Sequence, residues 1–87
     1  MSVRMPLKDY LYLKNEFDLL DRYVINVAYI APDQVDLDFL DHKKKNFRIE
    51  YKSLIQRVGI NGEESYNNTG VRLKNIWENY ISDQLDD

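Results

Sequence analysis

The chain has 87 residues and a mass of 10.4 kDa, is 44% hydrophobic, 13% aromatic and 31% charged, and carries a formal net charge of −3. This is the composition of one compact domain, expected to span residues 1–87, and it excludes a disordered tail or two domains. Cysteine is absent, which excludes disulfides, thiolate metal ligands and a cysteine nucleophile, and the longest apolar stretch, from Tyr23 to Ala31, is far short of the roughly 20 residues a membrane crossing needs.

The opening residues, MSVRMPLKD, lack the apolar core and small-residue cleavage site of a secretory signal, so a cytoplasmic location is expected. The ends, 1–5 and 86–87, are expected to fray. From Pro6 onward Tyr10, Leu13, Phe17, Leu20, Val24 and Val27 recur in steps of three and four, which lines one face of a long helix. Pro6 suits its first turn and Pro32 lies just beyond its end. The β-branched Val24, Ile25, Val27 and Ile30 favour a strand in its second half instead.

The segment Asp33–Lys45 alternates Val35, Leu37 and Phe39 with aspartates, as a strand with one acidic face would. A helix is preferred, because it sets the aspartates near its start and His42, Lys43, Lys44 and Lys45 at its end, where the helix dipole favours each sign. Asn46 then caps a third helix in which Phe47, Tyr51, Leu54, Ile55 and Val58 share a face, and Gly59 is placed to adopt the left-handed stop conformation. Residues 60–69 form a polar loop. Thr69 or Asn68 caps a last helix whose stripe is Leu73, Ile76, Trp77, Tyr80 and Ile81. The expected fold is therefore mainly α, a single compact four-helix domain. The rival is α+β, with Tyr23–Ile30, Val35–Leu40 and Phe47–Tyr51 as a three-stranded meander between two terminal helices.

Catalytic and metal chemistry find few residues. His42 is the one histidine and stands beside three lysines, with no cysteine or second histidine to help it hold a metal. No serine lies in a G-x-S-x-G pattern, and the spacing of Gly59, Gly62 and Gly70 matches neither a phosphate-cradling loop nor a dinucleotide fingerprint. Asp36 and Asp38 begin something like a calcium loop, but Leu40 falls where the third oxygen ligand belongs. The chain is expected to be non-enzymatic, with no cofactor and no metal.

Two surfaces are candidates for function. Residues 33–41 carry Asp33, Asp36, Asp38 and Asp41 and no base, while Tyr12 and Tyr66 fall off the apolar stripes. Exposed tyrosines among carboxylates suit the binding of another protein with a basic surface, since aromatic anchors dominate affinity and charges steer encounter. That fits a small regulator of the inhibitor, antitoxin, immunity or phage-modulator type. The alternative is DNA. Residues 42–57 carry six bases against Glu50 alone, among them Lys43, Lys44, Lys45, Arg48 and Lys52, and Arg72, Asn75 and Asn79 would point outward together from the last helix, as side chains that reach base edges do. The apolar arc of the first helix, widened by Leu11, Leu19, Ile25 and Tyr29, also predicts a homodimer.

The pattern Tyr51-x2-Leu54-x3-Val58-Gly59-Ile60, followed by Leu73-x3-Trp77-x2-Tyr80-Ile81, resembles the second half of an AT-rich interaction domain, a helical DNA-binding module. Val35-Asp36-Leu37-x2-Leu40 resembles an earlier helix of that family. The resemblance covers less than half of the chain. Between Leu40 and Tyr51 the chain is too short for the family and lacks its paired glycines, and it is acidic where such domains are basic, so membership is not assigned on it. What the resemblance implies is DNA contact by Arg72, Lys74 and the loop before the last helix.

Overall fold

The computed structural model describes residues 2–62 and 65–85. The fold is α+β, and the four-helix expectation is overturned by a three-stranded antiparallel sheet in the first half of the chain. Strand β1 (Ser2–Pro6) leads into helix α1 (Leu7–Glu16), a 3₁₀ turn (Leu20–Arg22), strands β2 (Val24–Ile30) and β3 (Gln34–Phe39), and a second 3₁₀ turn (Asp41–Lys43). Helix α2 (Lys44–Val58) follows, then α3 (Asn68–Ile76), a π-helical turn (Trp77–Ile81) and α4 (Ser82–Leu85), which run on without a break. The sheet order is β1-β3-β2, so β3 is central and the other two strands are its edges.

The aspartate-rich segment is a strand for a geometric reason. Val35, Leu37 and Phe39 lie on one face only when the repeat is two residues; on a helix the same spacing scatters them around the axis. In the sheet all three are buried while Gln34, Asp36 and Asp38 are not. The long first helix is likewise corrected: it stops at Glu16, and the β-branched residues of its supposed second half form β2. Pro6 does stand at its start, as the N-cap. Residues 2–5, expected to fray, belong to β1, where Val3 and Met5 are fully buried and pair with Leu37 and Val35. Residues 86 and 87 lie outside the described residues. Phe47–Tyr51, a strand in the α+β alternative, is helical, and the third strand is β1 instead.

The core lies between the inner sheet face and the helices. Phe47 is at its centre, with ring centroids 4.8 Å from Phe39, 5.4 Å from Tyr23, 5.9 Å from Tyr51 and 6.0 Å from Trp77. Tyr51 is fully buried, and its hydroxyl donates to the carbonyl of Leu73 at 2.6 Å, joining α2 to α3. Along the last helical stretch the buried positions run Leu73, Ile76, Ile81 and Leu85, a five-residue step across the π turn. That step leaves Trp77 and Tyr80, expected to be central, only half-buried.

Helices α2 and α3 meet at two glycines. A Cβ on Gly59 would lie 2.6 Å from Gly70 Cα, and one on Gly70 would lie 2.1 Å from Gly59 O. Close approach, rather than a left-handed backbone, explains Gly59, whose φ and ψ are −108° and −4°. Asn67, in place of Asn68 or Thr69, caps α3: its Oδ1 accepts from Gly70 N at 2.8 Å while its Nδ2 donates to Val58 O at 3.0 Å.

Two stability measurements follow from this corner and the core beside it. Helix propensity alone favours alanine over glycine inside α3 by about 1 kcal/mol, but the backbone contact reverses the sign. Gly70→Ala is expected to destabilise by about 1–3 kcal/mol in urea unfolding, and a gain in stability would show that the helices separate readily. Burial pushes the Tyr51 phenol above its ordinary value of 10.0. Its folded-state proton is held more tightly than in the unfolded chain, so its contribution to stability is intact below about pH 10 and is lost as pH rises further. Tyr51→Phe should cost about 1 kcal/mol at neutral pH through the lost hydrogen bond and should flatten the alkaline decline, read by unfolding at a series of pH values.

Candidate functional site: the outer face and edges of the sheet

With the apolar side chains of β3 turned inward, its outer face presents Asp36 and Asp38, about 7 Å apart along the strand. Their strand neighbours are Arg4 and Ala28 beside Asp36, and Ser2 and Asn26 beside Asp38. Arg4 grips Asp36 with two hydrogen bonds, Nε to Oδ1 at 2.9 Å and the second guanidinium nitrogen to Oδ2 at 3.1 Å. These bonds hold the Asp36 carboxyl below its ordinary value, while desolvation pulls the other way; the same contact raises Arg4. Asp33 is exposed in the turn between β2 and β3, where the Ala31–Pro32 bond is cis and the Asp33 carbonyl accepts from Leu7 N at 2.8 Å. Asp41 is exposed at the opposite end of β3. The four aspartates therefore line one strand and its two ends rather than the start of a helix.

The two tyrosines assigned to the same surface lie elsewhere. Tyr12 is half-buried against the core, edge-on to Phe17 at 5.6 Å and covered by the Arg72 guanidinium 3.7 Å from its ring centre. Tyr66 is 46% exposed, pairs with Ile60 in an isolated β-bridge, and has Lys74 Nζ 5.2 Å above its ring. Both belong to the helical layer. They do not form one surface with Asp36 and Asp38.

The residues of the DNA alternative are divided among three cavities. Lys44, Lys45 and Arg48 line one of about 510 Å³ with Asp41, His42, Ile49 and Leu85. Lys43 is in the preceding 3₁₀ turn. Lys52 lines a second, of about 320 Å³, with Ile55, Gln56, Tyr66, Lys74, Trp77 and Glu78. Arg72, Asn75 and Asn79 line a third, of about 310 Å³, between α1 and α3. There, however, Arg72 lies 3.6 Å from Asp9, a buried carboxylate, besides covering Tyr12. Its charge is engaged in joining α1 to α3. Among the described residues no group of three histidine, cysteine or carboxylate side chains could hold a metal ion.

One edge of the sheet escaped sequence reasoning, and the other was visible there only as a widened apolar arc. The Gln84 side chain reaches from α4 to β1, accepting from Arg4 N at 2.8 Å and donating to Arg4 O at 3.0 Å. At the other edge, Ile25 and Tyr29 of β2 are 62% and 66% exposed. Nearby, Glu50 of α2 accepts a hydrogen bond from the Tyr23 hydroxyl at 2.8 Å and pairs with Arg22, tying the start of β2 to α2. The β-branched run announced the strand; nothing local in the chain announced which edge Gln84 would close.

No family model, curated protein or solved structure matches the chain. The resemblance to the AT-rich interaction domain is not upheld: no such model matches, and Val35–Leu40, read as one of its helices, lies mainly in β3.

The Asn67 cap and the Arg72 contact yield a paired test of what positions this layer. Asn67→Ala should cost about 1–2 kcal/mol, as lost N-caps do. Arg72→Ala should also destabilise, because it removes the guanidinium beside buried Asp9 and strips the face of Tyr12. Thermal unfolding of the two variants checks both, and an Arg72→Ala protein as stable as the parent would return Arg72 to the list of available surface cations.

Proposed function

We propose that the chain is a non-enzymatic intracellular protein that binds and modulates another protein, in the manner of an inhibitor, antitoxin, immunity protein or phage modulator. Its working surface is the outer sheet face and the partner's is basic. The observation that carries this reading is that Asp36 and Asp38 stand side by side on a strand face whose reverse is buried against the helices. A rigid strand fixes the two carboxylates relative to one another, so a complementary pair of cations gains orientation as well as attraction. Asp33 extends the negative potential to the turn, and Arg4 offsets part of it at Asp36. No helix among the described residues is long and apolar enough to cross a membrane, which accords with this setting.

Capture from a lysate of the source organism by the parent chain, set beside capture by Asp36→Asn/Asp38→Asn, tests the reading. A protein recovered by the parent and lost from the variant is expected, and with that protein purified the variant should slow association more than it speeds dissociation. An identical set of captured proteins with both baits would overturn it.

A second reading, duplex DNA, is favoured by the convergence of Lys44, Lys45 and Arg48 with His42 on one cavity. Mobility shift with random and AT-rich duplexes at about 50 and about 200 mM salt separates the two, since each phosphate contact contributes a salt slope near −0.9. No shift at either salt is expected. A salt-sensitive shift at low micromolar protein, weakened when Lys43, Lys44 and Lys45 are neutralised together, would establish DNA binding instead.

A further inference from the structure

The two edges of the sheet are finished differently. On β1 the Gln84 amide takes up both backbone groups of Arg4, occupying the place of a neighbouring strand. Along β2 no described residue pairs with the outer edge: its ladder runs to β3 alone. This strand, VINVAYI, has no charged side chain and no buried residue over its seven positions. Ile25 and Tyr29 are the two most exposed large apolar side chains among the described residues. Long uncharged apolar edges of this kind are templates for strand addition, and proteins ordinarily blunt them with lysine, proline or a covering element.

We propose that β2 pairs antiparallel with β2 of a second copy, across a two-fold axis passing at Val27, so that two sheets join into one of six strands. The pattern of the strand is self-complementary. Ile25 and Tyr29 are equidistant from Val27, so in this register Ile25 of each copy stands opposite Tyr29 of the other, the aromatic and β-branched combination that cross-strand pairs favour. Asn26 stands opposite Ala28, which needs little room. Any charge on a strand that pairs with itself would have to be matched by a residue across the axis, and β2 carries none. A strand pair of this length with its projecting side chains buries on the order of 1,000 Å² over both copies, the size at which a specific interface becomes stable. The bulge between Val24 and Asn26 leaves Ile25 out of the ladder to β3, which accounts for its exposure.

The dimer expected from the sequence thus has a different basis, a strand edge rather than the face of a long first helix. It stands independently of the acidic-face reading. In the joined sheet both outer faces look the same way, so Asp36 and Asp38 of two copies share one surface.

Light scattering coupled to size exclusion, on the full chain at tens of micromolar, should give a mass near twice 10.4 kDa. Ile25→Lys/Tyr29→Lys sets lysines against each other at both exposed pairs and should return the mass to the monomer value with an unchanged circular dichroism spectrum. Ile25→Lys/Tyr29→Glu pairs opposite charges in the same register and should restore the dimer. Because the chain has no cysteine of its own, Val27→Cys should cross-link to itself under mild oxidation, whereas Ser53→Cys, on the exposed side of α2, should not. A monomeric parent chain would overturn the proposal. So would a dimer that persists unchanged in Ile25→Lys/Tyr29→Lys, since it would have to use another face. Neither outcome depends on whether the aspartates recruit a partner.

Discussion

Val35, Leu37 and Phe39 stand on one face of the central strand, and burying that face is the constraint to which the rest of the molecule answers. A single small sheet has no stability of its own, so the buried apolar side chains of the helices are directed at this side of it. Phe47 contacts Phe39 directly and passes the contact on through Tyr23, Tyr51 and Trp77, which makes one aromatic cluster of strand, turn and helices. The opposite face is polar as a necessary result. An alternating strand that buries its odd positions must display its even ones, and in β3 those are a glutamine and two aspartates.

The helical layer is held in register by contacts that owe little to hydrophobicity. Gly59 and Gly70 let two backbones approach within a distance no side chain would allow, and Asn67 bonds to both helices at the same corner. At the far end the π turn advances the buried stripe by five residues between Ile76 and Ile81, so that Ile81 and Leu85 still face the core. Without that extra residue in the turn, α4 would be rotated and Gln84 carried off β1. The position of one amide group thus depends on the phase of the whole last helix.

How far such a structure is legible beforehand depends on the range of the interactions. Helix α2 could be read from Phe47, Tyr51 and Leu54 because its period and its neighbours are local. The first helix was overextended because Phe17, Leu20, Val24 and Val27 happen to continue the helical spacing of Tyr10 and Leu13. The stiffness of Val24, Ile25, Val27 and Ile30 carried the truer signal, since crowding at Cβ is felt by each residue on its own. In β3 the burial of three large side chains, each worth roughly 1.5–3 kcal/mol, outweighs the placement of charge along a helix dipole, worth tenths of a kcal/mol to about 1. The identity of the acidic residues was visible from composition. Their separation from Tyr12 and Tyr66 was not, because it is decided by where Arg72 and Ile60 find partners.

Gln84 has a consequence for growth. An antiparallel sheet with two unfinished edges admits copies at both, and each addition presents a fresh edge, so assembly proceeds without limit toward a fibre. Here one side chain, eighty residues away in sequence from the backbone it satisfies, terminates that sequence of additions on one flank. Whatever joins the remaining flank meets a molecule that can be extended once and then stops. The fold thereby keeps an apolar strand open on one flank, while on the other the Gln84 carboxamide and the helical stretch that carries it cover the strand.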